Sequence, residues 1–89
     1  MRTLRQSLIN ANALLVFESA ARLGSFTRAA EELGVSQPAV TRQVRAVEAL
    51  VGRPLFRRAH NRLSLTAEGR RLAAAAASGF GEIAATLDA

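Results

Sequence analysis

Between Ser36 and Gly52 the apolar positions repeat with a helical period. Val40, Val44, Val47 and Val51 fall at i, i+4, i+7 and i+11, so they stack into one stripe. Pro38, Arg42, Arg45 and Ala49 lie opposite that stripe, with Thr41 at its flank. Ser36 is placed to cap the first turn, and Pro38 sits where a missing N–H leaves nothing unpaired. Gly52 ends the helix and Pro54 prevents its resumption. One face of this helix is therefore expected to anchor it, while the other stays free and cationic.

The flanking segments carry their own periods. Asn10 or Asn12 is positioned to cap a helix running to about Leu23, with Leu14, Phe17 and Ala21 turned to the core. Leu15 and Val16 are left on other faces and are expected to contribute to a partner surface. Gly24-Ser25 breaks that helix and caps the next, a two-turn helix from Phe26 to Leu33. Gly34 then supplies a left-handed turn, Ala30 is small where the following helix passes close, and Val40 plugs the gap. Two helices joined this way form a helix-turn-helix. Beyond Pro54, Leu55-Phe56-Arg57-Arg58 and Arg62-Leu63-Ser64-Leu65 flank a polar turn, Ala59-His60-Asn61, and read as a β-hairpin, or wing. Arg57, Arg58, His60, Asn61 and Arg62 crowd its tip and edges; His60 reads as a loop residue, with no second histidine to make a metal site.

Thr66 and Glu68 open a last helix that continues to about Leu87. Ala73, Ala76, Phe80, Ile83 and Leu87 follow the 3-4 spacing of a paired-helix seam. With Leu72, Leu15 and Val16 they form the expected dimerisation surface. Gly79 and Gly81 bracket Phe80 where a second backbone could approach closely. Folding back onto the chain's own core is the competing use of the same stripe.

Charge sharpens the reading. The 89 residues allow one small domain, 49% hydrophobic and 21% charged, with a net charge of +5. All 12 basic residues are arginine, whose fork suits phosphate and guanine edges. With no Tyr or Trp, and four phenylalanines scattered one per segment, there is no stacking platform for single strands. If nucleic acid is the partner, duplex DNA is favoured. The absence of cysteine removes disulfides, thiol chemistry and zinc-finger ligation, and no cofactor is expected. The first nine residues lack the apolar core of a signal peptide and no apolar run approaches a membrane span, so a cytoplasmic address is expected. Glu18, Glu31, Glu32, Glu48 and Glu68 are spread among helices with no nucleophile–base pair, which argues against an enzyme. Glu48 is expected to be a structural partner of an arginine.

The chain resembles the N-terminal DNA-binding domain of LysR-type transcriptional regulators. The residues that carry this are Leu14-x2-Phe17, Gly24-Ser-Phe-Thr-x-Ala-Ala30, Leu33-x-Val-Ser-Gln-Pro-Ala-Val40, Thr41-x-Gln-Val44 and Val47-Glu48. Leu50-x-Gly52, Leu55-Phe56-x-Arg58 and Leu65-Thr66-x2-Gly69 continue the pattern without a break. The Asn12-Ala-Leu opening and the run from Phe17 to Arg22 look like the branch of glycine-cleavage and β-lactamase regulators.

The resemblance implies a mostly α fold: a winged helix-turn-helix with a three-helix core and short two-stranded β-wing, followed by a long linker helix. It divides the chain into an N-terminal arm (residues 1–9), the DNA-binding unit (10–66) and a linker or dimerisation helix (67–89). The arm reads as a loosely held terminus from which Arg2 and Arg5 could reach phosphate. By position, Gln37, Pro38, Thr41 and Arg42 would line the major groove, Thr27 and Ser36 would meet phosphate, and Arg58 and Arg62 would serve the wing. Arg45 on the outward helix face and His60 and Asn61 at the hairpin tip are expected to join them from the residues themselves. Thr41 stands where serine is more usual, and its methyl can touch a thymine methyl. The family implies a homodimer, a higher oligomer in the full-length protein, and a larger inducer-binding domain beyond this chain. A non-specific architectural DNA binder and a winged-helix protein-interaction module are the alternatives.

Overall fold

The computed structural model describes residues 3–7 and 10–89. Its elements in order are α1 (Leu4–Ser7), α2 (Ala11–Leu23), α3 (Phe26–Leu33), α4 (Gln37–Val51), β1 (Phe56–Ala59), β2 (Arg62–Leu65) and α5 (Ala67–Asp88). The arm thus contains one helical turn, on which Leu4 and Arg5 are exposed; Arg2 lies outside the described residues.

Local signals set most boundaries. Ser25 Oγ accepts the Arg28 N–H at 3.1 Å and Ser36 Oγ accepts the Ala39 N–H at 3.3 Å, capping α3 and α4. Gly24, Gly34 and Gly52 close α2, α3 and α4 in the left-handed conformation that glycine adopts without a Cβ clash. Asn10 stands at the N-terminal position of α2, but its side chain makes no cap hydrogen bond.

Strands β1 and β2 pair antiparallel, with Phe56 opposite Leu65, Arg58 opposite Leu63 and Ala59 opposite Arg62. The turn is therefore His60-Asn61 alone, not the three residues expected. Both residues have positive φ, 53° and 60°, the signature of a tight hairpin whose twist matches the strands it joins.

The core has two lobes. One gathers Val16, Ala20, Ala29, Ala30, Val40 and Val44; the other gathers Ala13, Leu14, Phe17, Val47 and Leu55. Phe56, at the root of the wing, packs against both, with ring centroids 5.5 Å from Phe17 and 5.2 Å from Phe26 in edge-on contacts. Three of the four phenylalanines are thus one cluster.

Two members of the expected apolar faces depart from it. Val16 is buried in the first lobe and presents no surface to a partner, because α3 and α4 both pack against α2 and cover more than one stripe of it. Val51, the last member of the valine stripe, is 41% exposed. The chain turns at Gly52 and returns Leu55 to the side of Val47, so Leu55 fills the core where Val51 does not.

Candidate nucleic-acid interface

Alternation along the wing decides which arginine meets α4. Phe56 points into the core, so Arg58, two residues on, shares its face, while Arg57 faces the other way. Accordingly Arg58 lines a cleft of about 280 Å³ with Gln37, Thr41, Val44, Arg45 and Glu48 of α4, floored by Phe26, Phe56 and Leu63. A second cleft, of about 220 Å³, joins Arg58, Asn61 and Leu63 of the wing to Gly24, Ser25, Phe26, Thr27 and Gln37. The fold therefore brings Thr27, Gln37, Thr41, Arg45, Arg58 and Asn61 to one concave surface. Ser36, Pro38 and Arg42 are exposed beside it. His60 is exposed at the tip, and Arg62 lies on the outer face of the hairpin with Arg57. Neither lines the two clefts.

The electrostatics of this surface follow from where the carboxylates are committed. Arg22 is held by Glu18 at 2.9 Å and Glu32 at 2.5 Å, and Arg53 lies 3.8 Å from Glu68. Among the described residues, Arg42, Arg45, Arg57, Arg58 and Arg62 form no ion pair. The expected arginine partner of Glu48 is replaced by a backbone one: its Oε2 accepts the Leu55 N–H at 2.8 Å, and no arginine among the described residues pairs with it. Proline at position 54 and the turn at Gly52 leave that amide without a helical partner, and a buried donor needs an acceptor.

The Thr41 hydroxyl donates to the Gln37 carbonyl at 3.2 Å, a bond open to any threonine one turn along a helix. Its lone pairs and its methyl group remain for a ligand. On the far side of the helix-turn-helix, the buried Ser19 hydroxyl donates to Glu32, and Arg22 donates to the same carboxylate and to Glu18. These bonds tie α2 to α3. The hydrogen bonds from Arg22 and then Ser19 hold the Glu32 carboxyl below the ordinary carboxylate range, and Glu32 followed by Glu18 pushes the Arg22 guanidinium up.

Ser25 and Leu63 belong to the concave surface yet were not among the expected site residues. The alternation of Leu63 with polar neighbours was visible; that it sits opposite Arg58 depends on the length of the turn.

The expected dimerisation residues are divided between two environments. Leu72, Ala73 and Phe80 pack half-buried against the Leu14–Phe17 lobe of their own chain. Leu72, Ala76, Phe80 and Ile83, with Leu14, Ala75 and Gly79, also line an open apolar groove of about 220 Å³. Leu15, Ile83 and Leu87 are 43%, 56% and 78% exposed. A Cβ added at Gly79 or Gly81 would meet nothing within 4 Å in this chain. No group of three or more His, Cys, Asp or Glu able to hold a metal ion occurs among the described residues, and no helix among them is long and apolar enough to cross a membrane.

Comparison with known proteins agrees with this architecture. The profile of the bacterial regulatory helix-turn-helix proteins of the lysR family matches residues 11–70. The chain belongs to that family. Over 59 residues it is 56% identical to the glycine cleavage system transcriptional activator of Escherichia coli K12, covering 66% of this chain and 19% of that protein. It is 49% identical over 77 residues to the HTH-type transcriptional activator AmpR of Rhodobacter capsulatus, covering 86% of this chain and 27% of that protein. The chain spans about a fifth to a quarter of the length of the curated relatives it matches. Among solved structures, the CbnR DBD in complex with DNA superposes with a TM-score of 0.75 at 35% identity, covering 86% of this chain and 88% of that one.

Proposed function

We propose that this chain is the DNA-binding part of a dimeric LysR-type transcriptional regulator that acts on duplex DNA in the cytoplasm. In this reading residues 10–66 form the DNA-binding unit and residues 67–89 the pairing helix. Helix α4 enters the major groove, where Gln37, Pro38, Thr41, Arg42 and Arg45 face base edges. Thr27 and Ser36 meet phosphate at the mouth of the helix-turn-helix. From the wing, Arg58, His60, Asn61 and Arg62 meet the backbone or the adjoining minor groove. No catalytic step is involved.

The observation that carries this reading is the convergence of Arg58 with Gln37, Thr41 and Arg45 on one concave surface whose arginines form no ion pair among the described residues. Phosphate contacts fix register and groove contacts read sequence, and both kinds of side chain stand here within one cleft. The similar CbnR DBD was solved on DNA, which supports the same use of the same fold. The open apolar groove along α5, with Ile83 and Leu87 exposed beyond it, supports pairing through that helix. Two-fold symmetry then gives half-sites about one helical turn, 10–10.5 base pairs, apart.

Selection of bound sites from random duplex tests the proposal. The expected product is a dyad-symmetric consensus that outcompetes scrambled duplex at physiological salt. Binding without a consensus would make the chain an architectural DNA binder, and salt-insensitive or absent binding would make it a protein-interaction module.

A further inference from the structure

One residue, Leu55, links the recognition helix, the wing and the pairing helix. Its N–H donates to Glu48 of α4, and its carbonyl accepts the Thr66 N–H at 3.0 Å just before α5. Its side chain is fully buried beside Val47 of α4 and Leu14 and Phe17 of α2. Thr66 adds two more ties. Its hydroxyl donates to the Pro54 carbonyl at 2.8 Å and accepts the Gly69 N–H at 3.0 Å. Gly69 is buried in the first turn of α5, and a Cβ there would stand 2.1 Å from the Leu55 carbonyl oxygen and 3.0 Å from the Leu65 side chain. Backbone crowds that position, so no side-chain rotation could relieve an added methyl group.

From this geometry we propose that the Leu55–Thr66–Gly69 contact is a rigid joint that sets the angle between α5 and α4, and that Gly69 is a positioning residue for half-site spacing. The inference rests on the functional reading above. If α5 pairs two chains, its direction at the joint decides how far apart the two α4 helices stand. An ordinary carbon–oxygen contact is more than an ångström longer than the space at Gly69, so Gly69→Ala must push the first turn of α5 off the wing root. Helix α5 is about 33 Å long at 1.5 Å per residue, which turns a small shift at its root into a larger one at its far end.

Two measurements on the 89-residue chain separate the joint from the functional reading. The first needs no DNA. The chain has no cysteine, so Ala49→Cys and Ala85→Cys on exposed positions accept nitroxide labels cleanly, and dilution with unlabelled chain isolates the intrachain distance. A single narrow distance is expected, shifted or broadened by Gly69→Ala. The second is a duplex panel with half-sites at graded spacings. Wild type should favour one spacing by about tenfold, equivalent to 1.4 kcal/mol. Gly69→Ala should move or flatten that optimum while affinity for a single half-site holds, because Gln37, Arg42 and Arg58 are untouched. Should Gly69→Ala fail to fold, Thr66→Val takes its place, with Thr66→Ser expected to restore both readouts. An unchanged label distance and spacing optimum in a folded variant would overturn the joint, as would a wild-type chain indifferent to spacing. Absence of DNA binding by wild type would instead overturn the functional reading, leaving the label distance to judge the joint by itself.

Discussion

Arg58 lines the concave surface and Arg42 stands exposed beside it, and the two are expected to act differently. Arg42 is exposed on the outer face of α4 and forms no ion pair among the described residues. If it grips a guanine, Arg42→Ala should weaken the selected site by about 1–3 kcal/mol and relax preference at one base pair. Arg58 lines a cleft between the wing and the helix-turn-helix with Thr27 and Asn61, and is expected to meet a backbone phosphate there. Arg58→Ala should weaken selected and random duplex alike and lower the slope of log affinity against log salt by about one. Titrations of both variants at several salt concentrations check the contrast. A uniform loss for Arg42→Ala would move that residue from base readout to phosphate contact. That Arg42 stays exposed was legible because the valine stripe places it outward whatever the tertiary fold. The contact made by Glu48 was not, because its partner is a backbone amide seven residues along the chain that only the turn at Gly52 brings back.

Among the elements, the helix-turn-helix was nearly complete in the sequence. Ser25, Gly34, Ser36 and Gly52 are local stop and start signals, and α3 and α4 begin and end at them. The wing was harder, since a tight turn at His60-Asn61 and a three-residue turn differ only in backbone angles. Val16 was misjudged because one helical wheel cannot show that two neighbouring helices cover α2. Two predictions belong at this scale. Phe56→Leu removes edge contacts to both Phe17 and Phe26, each contributing about 0.5–1.5 kcal/mol beyond area. Chemical denaturation should therefore report a loss of about 1–3 kcal/mol. Glu32 ties α3 to α2, and its carboxyl is held below its unfolded value of 4.5. A depressed carboxyl adds stability that is present above that value and lost as pH falls through the lower folded value. Glu32→Gln should accordingly flatten the decline of thermal stability below about pH 4.5, with little change in its slope at neutral pH. An unaltered acid slope would show that the Ser19–Glu32–Arg22 cluster is not what acid disrupts.

For the whole molecule, the apolar stripe of α5 is divided between two environments. Near its start Leu72 and Ala73 pack on the chain's own α2; further along, Ile83 and Leu87 stand in the open. The sequence showed the stripe but not the division, which depends on how far α5 runs past the end of its packing surface. Ile83→Glu should therefore leave the monomer's melting temperature nearly unchanged and raise the dimer dissociation constant by about tenfold or more. Sedimentation equilibrium checks this, and an unchanged association would move the dimer contact elsewhere. The most direct test of the central claim, that the exposed face of α4 and the inner face of the wing together touch duplex, is an amide chemical-shift map of the 89-residue chain titrated with its selected site. The expected result is that shifts concentrate at Gln37, Thr41, Arg42, Arg45, Arg58 and Asn61. Shifts confined to the apolar groove of α5, with those six residues silent, would contradict it.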